Sequence, residues 1–313
     1  MTQDFLNQEW QQSRLSWIQA QHAAHPDHPT LPPPSLIAAA RASLPDPSSS
    51  SYLAPQPAEA VAAHITTALA PALSGQSRSG RYYGFVTGAV LPVAQWADGV
   101  VSHADQNVQV HLPGQTIATE VEDASLAMLA ALLGLGGGWR GRTLTTGATG
   151  SNVLGLACGR EAVVRKKLAA ATGEQDVEDA VGELGLLAAC AKAGVGEIQV
   201  LTSAAHSSLS KAASVVGLGR REVKELRTAG GDEPWRLDLA ALEEHLARPG
   251  TASIVALSAG EVNTGRYSLA GADEMVKVRE LADRYGAWIH VDGGKLFLST
   301  LLILWYVGLL SSF

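Results

Sequence analysis

Cysteine is nearly absent: Cys158 and Cys190 are the two among 313 residues. Both lie in apolar, helix-like stretches, so two buried thiols are expected rather than a disulfide, which fits a reducing compartment such as the cytoplasm. Dense Lys/Arg runs are also missing and the net charge is −7, which argues against nucleic acid as the main partner. Charged residues make up 17% of the chain, below the usual quarter, so most of it is expected to fold. The N-terminus, with Asp4, Glu9 and Gln-rich sequence, lacks an apolar core, so no signal peptide is expected. Neither an internal repeat nor a metal-ligand cluster is read from the sequence.

The chain itself is 46% hydrophobic, enough for one large domain or two smaller ones. Residues 1–80 read as an N-terminal arm. Leu6, Trp10, Leu15 and Trp17 line one side of a helix, and Pro26, Pro29, Pro32, Pro33, Pro34, Pro45, Pro47, Pro55 and Pro57 punctuate the chain beyond it. A further helix is expected over 58–70, ended by Pro71. Residues 81–293 change to a βα rhythm. Strands are expected at 144–146, 198–201, 223–226, 253–257 and 287–291, and helices at 151–171, 208–216, 239–246 and 272–285. Apolar strands separated by amphipathic helices imply an α/β fold, a mostly parallel sheet with helices on both faces. Ligands of such sheets gather at the carboxyl ends of the strands.

Three of those ends carry unusual residues. Thr145-Thr146-Gly147-Ala148-Thr149-Gly150-Ser151-Asn152 lies between a strand and a long helix. Small residues there let an anion approach free N–H groups at the positive end of the helix dipole. The bland alternative is an N-cap at Ser151 after a tight glycine turn. A dinucleotide fold is the other functional reading, but the glycines do not spell its fingerprint. Gly134-Leu135-Gly136-Gly137-Gly138 reads as a loop. His206 follows the strand at 198–201, and Asp292 ends the strand at 287–291. An aspartate at a buried strand end is costly without a cationic partner, such as a pyridinium nitrogen. An imidazole at a helix start is placed to stack on an aromatic ring. Helix capping or simple packing explains either residue alone.

Taken in order, these segments resemble the group II pyridoxal-phosphate decarboxylases, the aromatic-amino-acid and glutamate decarboxylases of fold type I, the aspartate-aminotransferase-like transferase fold. The resemblance runs from Arg81-Tyr82-Tyr83-Gly84-Phe85-Val86-Thr87-Gly88 through Ile117-Ala118-Thr119-Glu120-Val121-Glu122 and the Gly147–Asn152 turn. It continues with Ala205-His206-Ser207-Ser208-Leu209-Ser210-Lys211-Ala212 and Gly260-Glu261-Val262-Asn263-Thr264-Gly265, and ends at Trp288-Ile289-His290-Val291-Asp292-Gly293. It implies pyridoxal 5′-phosphate as cofactor, an amino acid as substrate and a homodimer for the full-length protein. It implies that Ala148 and Thr149 hold the phosphate, that His206 stacks on the ring and that Asp292 pairs with the ring nitrogen. Asn263 and Thr264 would border the ring, and Thr119 would lie near the substrate carboxylate. His206 and Asp292 are the residues it assigns to catalysis.

The resemblance stops after Asp292. In the family a lysine preceded by a histidine holds the cofactor covalently, well beyond the Val-Asp-Gly strand. Here Lys295 comes three residues after Asp292 with no histidine before it, and Lys166, Lys167, Lys192, Lys211, Lys224 and Lys277 all lie upstream. Residues 294–313 read as an aberrant hydrophobic tail, with no charge from Leu296 to Phe313. The expectation is a family fold incomplete at its C-terminus, and a chain inactive for want of the lysine. Gly294-Lys295 can be encoded GGT-AAG, which contains a splice-donor sequence, so a retained intron is the preferred origin of the tail, with a membrane anchor as the alternative. Three other functional readings stand beside the decarboxylase. They are a non-catalytic relative serving as a binding or dimerisation module, another lyase or desulfurase of the same fold, and, more distantly, a dinucleotide-dependent dehydrogenase.

Overall fold

A computed structural model describes residues 8–23, 30–76, 82, 90–135, 138–174, 177, 179–228, 233–261 and 264–294. The Arg81–Gly88 segment, apart from Tyr82, lies outside the described residues, as do Asn263 and residues 295–313. The chain divides into two compact units, Met1–Gln106 and Asn107–Phe313.

The first unit carries helices α1 (Gln8–Ala23), α2 (Pro34–Ala42), α3 (Ala58–His64) and α4 (Pro92–Ala104). Pro33 and Pro57 precede α2 and α3 in extended conformation, and Pro34 and Pro92 open α2 and α4, where a missing N–H costs nothing. Beyond α3 the chain widens into one π turn, Ile65–Leu69, and closes with a 3₁₀ turn at Ala70–Ala72 that contains Pro71. A hydrogen bond between Ser43 Oγ and His64 Nε2, 2.8 Å, joins the end of α2 to α3.

The second unit is built on four parallel strands in the order β2-β1-β3-β4: β1 (Glu197–Thr202), β2 (Val223–Glu225), β3 (Thr251–Ser258) and β4 (Trp288–Asp292). Its helices are α5 (Ala118–Leu132), α6 (Ala148–Thr172), α7 (Val181–Leu184), α8 (Leu186–Lys192), α9 (Ser207–Val215), α10 (Leu239–Leu246) and α11 (Ala272–Tyr285). β3 is buried along its whole length, and its side chains divide by strict alternation. Ala252, Ile254 and Ala256 pack with Leu156, Val163, Val164 and Leu168 of α6 and with Leu209 and Ala212 of α9. Val255 and Leu257 pack on the opposite face with Leu242 of α10 and with Met275, Val278 and Leu281 of α11. Covering both faces is what lets a parallel sheet read as unbroken apolar runs.

Two expectations are corrected. Residues 144–146 form no strand, and Leu144 is exposed: an extended segment needs a neighbour to complete a ladder, and no described strand pairs with it. Cys158 is exposed rather than buried, because it lies off the sheet-facing stripe of α6 formed by Asn152, Leu156, Gly159 and Val163. Cys190 is half-buried, burial pushes its thiol above the ordinary range, and both cysteines are free. Among the described residues no helix is long and apolar enough to cross a membrane.

Candidate functional site

Because the four strands are parallel, their carboxyl ends share one edge. His206 lies just past β1 and caps α9, its side chain accepting from the Ser208 backbone N–H. Asp292 ends β4, in register with Ser258 at the end of β3. The α6 helix runs antiparallel to the strands over this edge, and strand alternation turns Trp288, His290 and Asp292 toward it. A Cβ on Gly159 would stand 2.7 Å from the Trp288 ring and 3.1 Å from Ile254 Cδ1. A Cβ on Gly155 would stand 2.5 Å from His290 Cε1. The two glycines therefore let helix and strand approach, and the approach brings the start of α6 to Asp292. Near that start, a Cβ on Gly294 would lie 3.3 Å from Ala148 Cβ and 3.4 Å from Asp292 Oδ1.

A line of hydrogen bonds joins these ends. His206 Nδ1 is 2.6 Å from Ser208 Oγ, which accepts from Asn152 Nδ2 at 3.1 Å. Asn152 Nδ2 also donates to Asp292 Oδ2 at 2.9 Å, and Asn152 Oδ1 is 2.7 Å from His290 Nε2. The Gly294 N–H donates to Asp292 Oδ1 at 3.2 Å. Asn152 and Ser208 are buried, whereas Asp292 is half-buried and His206 exposed, so the outer residues reach solvent from a fixed base.

The turn before α6 is open. Gly147 has φ +150°, and a Cβ there would meet nothing within 4 Å. The helix has no side-chain N-cap: the Thr145 hydroxyl bonds the Gly147 carbonyl at 3.0 Å and the Ser151 hydroxyl at 2.7 Å instead. The first-turn amides of a helix have no acceptor within it, and Ala148 and Thr149 are exposed. This edge thus offers anion-binding amides, a carboxylate for a cation and a solvent-facing imidazole, a donor set that fits a phosphorylated, protonated heteroaromatic ligand.

Ala148 is thus placed beside Asp292, Thr149 comes next in the first turn of α6, and His206 joins Asp292 through two intervening side chains. Thr264 lies in a tight turn after β3, its N–H bonded to the buried Glu261 carboxylate and its hydroxyl accepting from the Arg266 N–H at 3.2 Å. Thr119, in the first turn of α5, pairs with His111 Nδ1 at 2.8 Å and has no hydrogen bond to the His206–Asp292 line among the described residues. Asn152, Ser208 and His290 fall inside the resembling segments, yet sequence reasoning gives none of them a role. The signal that could have found Asn152 is a polar residue at the head of an otherwise apolar helix stripe.

Burial pushes the His290 imidazole below its ordinary value, opposed by the Asp292 charge. His245 moves the same way, through burial and then Arg248 and Lys224, with Glu244 opposing. The unfolded chain therefore binds more protons in the window below about pH 6.5, the ordinary imidazole value. The stabilising contribution is full above that value and is lost as pH falls through the folded-state values. Denaturant midpoints tracked from about pH 7.5 to 5 should decline, and His290→Gln should flatten the decline while His245 keeps a remainder. An unchanged slope in the variant would remove His290 as a cause.

No protein-family model matches the chain. Over 175 residues it is 30% identical to an L-2,4-diaminobutyrate decarboxylase from Acinetobacter baumannii, a match that takes in 53% of this chain and 31% of that protein. Among solved structures it is similar to Oryza sativa TDC with PLP, with a TM-score of 0.67 at 20% identity over 98% of this chain and 62% of that one. It is also similar to the glutamate decarboxylase domain of a diaminobutyrate-pyruvate transaminase and L-2,4-diaminobutyrate decarboxylase from Vibrio parahaemolyticus. That TM-score is 0.66 at 20% identity, over 95% of this chain and 61% of that one. The chain thus spans less than two-thirds of the relatives it matches, and the structural likeness is one of fold.

Proposed function

From the kinship of this chain with the group II pyridoxal-phosphate-dependent decarboxylases, we propose that it carries the cofactor-binding part of an amino-acid decarboxylase site. The observation that supports this reading is the hydrogen-bonded line from His206 to Asp292, set beside the open first turn of α6. The amides of Ala148 and Thr149, with the Thr149 hydroxyl, hold the phosphate of pyridoxal 5′-phosphate. Asp292 accepts from the ring nitrogen and keeps its proton in place. His206 lies against the ring face, Asn263 and Thr264 border it, and Thr119 meets the substrate carboxylate. When bound, the cofactor supplies an electron sink for the charge left as carbon dioxide departs. The substrate is an α-amino acid, the compartment cytoplasmic, and the longer protein a homodimer.

These 313 residues include no lysine at the place where the family attaches its cofactor. The residues present would hold pyridoxal phosphate through its phosphate, its ring face and its ring nitrogen. A second reading is a non-catalytic relative of the same fold that serves as a binding or dimerisation module.

Titrating the purified chain with pyridoxal phosphate tests the site. One equivalent should bind saturably, and borohydride treatment should fix no single lysine in stoichiometric yield. Thr149→Glu, which sets a carboxylate where the phosphate sits, should weaken binding roughly tenfold or more, the worth of one charge-assisted hydrogen bond. Binding that never saturates, or that ignores Thr149→Glu, would overturn the reading.

A further inference from the structure

Asn152 is the point where the hydrogen bonds of this edge meet. It heads the stripe of α6 that faces the sheet, it is 2% exposed, and the stripe continues with Leu156, Gly159 and Val163. A buried amide in such a place is costly unless all its groups are used. Here the Nδ2 group donates to Ser208 and Asp292, and Oδ1 faces His290.

The chemistry of the partners fixes which way each bond runs. A carboxylate only accepts, so the amide nitrogen of Asn152 must face Asp292. Its oxygen then faces His290, and His290 must carry its proton on Nε2. Burial favours the neutral ring there, so that one proton suffices. On the other branch, Ser208 Oγ accepts from Asn152 and its own proton is free to point at His206 Nδ1, 2.6 Å away. The Ser208 backbone N–H reaches the same nitrogen at 3.2 Å. Two donors aimed at one ring nitrogen leave it unprotonated, so the proton of His206 sits on Nε2.

We propose that Asn152 is a positioning residue of this site: its single side-chain amide holds the Asp292 carboxylate at the end of β4 and, through Ser208, holds His206 in the tautomer protonated at Nε2. One group thus sets both residues that the proposed function assigns to the cofactor ring, the charge partner and the stacking face. The inference rests on that function only for its purpose; the positioning itself belongs to the unliganded chain.

Three substitutions separate the branches. Asn152→Leu keeps the side chain of similar size but apolar, and strips Ser208, Asp292 and His290 of their shared partner. Ser208→Ala cuts the His206 branch alone and leaves the Asn152 bond to Asp292. Leu168→Ala destabilises the same helix several turns away and touches neither branch, since Leu168 packs in the core below the far end of α6.

The test is long-range ¹⁵N–¹H NMR of the histidine rings in the isotope-labelled chain without cofactor, near neutral pH. Wild type and Leu168→Ala should show His206 protonated at Nε2 and bare at Nδ1. Asn152→Leu and Ser208→Ala should show a mixture of the two tautomers for His206, and Asn152→Leu alone should also move the His290 signals. Asn152→Asp gives a second reading of the same point. It sets a carboxylate against Asp292 and makes the Ser208 hydroxyl donate toward residue 152, so His206 should gain a proton on Nδ1. If the His206 signals of Asn152→Leu and Asn152→Asp match wild type while both variants stay folded, the proposal is overturned. Pyridoxal phosphate titrations of the same samples judge the function separately. Tautomer changes in a chain that binds no cofactor would sink the proposed function and leave the positioning intact.

Discussion

Leu156→Ala should lower the unfolding free energy of the second unit by about 2–5 kcal/mol, the usual cost of emptying a leucine-sized space in a core that relaxes only in part. Leu156 is fully buried and packs in the same cluster as Val163, Ile254 and Ala256, where α6 meets β3. Little can collapse into the gap, because the helix is already held close to the sheet at Gly155 and Gly159. Leu154, two residues earlier on the same helix, is 47% exposed, and Leu154→Ala should change stability by no more than about 0.5 kcal/mol. Urea unfolding of the two variants checks the pair. Equal costs would mean that α6 does not face the sheet as described, and the placement of Asn152 would fall with it.

Asp292→Ala should weaken pyridoxal phosphate binding by about 10–100-fold, the equivalent of a charge-assisted hydrogen bond worth about 1.5–3 kcal/mol. In the proposed site the carboxylate is the group that balances a protonated ring nitrogen. It is prepared for this before any ligand arrives: Oδ1 already accepts from the Gly294 N–H and Oδ2 from Asn152. Those two bonds aim it, and a carboxylate oxygen has lone pairs to spare for a third donor. Asp292→Asn keeps the shape but not the charge, so it should also lose most of the affinity. Removing the carboxylate further leaves the buried Asn152 amide with Ser208 alone on that side, and some stability should go with it. Cofactor titrations read beside unfolding midpoints separate the two effects. An alanine variant that binds like wild type would take Asp292 out of the site.

The strands and helices that position the site were largely legible. β1 and β3 announce themselves as apolar runs because both faces of the sheet are covered, and α10 and α11 carry the helical period that covers one of them. The turn at Gly147–Ser151 stood out as a run of small residues ahead of a long helix, and His206 and Asp292 stood out because polar residues at strand ends contradict the apolar pattern around them. The strand expected at 144–146 fails for the reason that makes strands hard to read. A strand is made by its neighbour, and nothing within a three-residue string reports whether the neighbour exists.

Local sequence thus determined the alternation of β and α, the direction each strand side chain takes, and the polar groups set at the strand ends. It did so because period-two and 3.6-residue patterns, turn chemistry and the cost of buried charge all act within a few residues. Only the tertiary structure decided that β1 and β4 flank β3, and that Gly155 and Gly159 draw α6 down onto Trp288 and His290. It alone made Asn152 the joint between Asp292 and Ser208, partners 140 and 56 residues away along the chain. A hydrogen bond is directional and short, so it forms only once packing has fixed both ends, and the packing that fixes them is set by the whole sheet rather than by either segment.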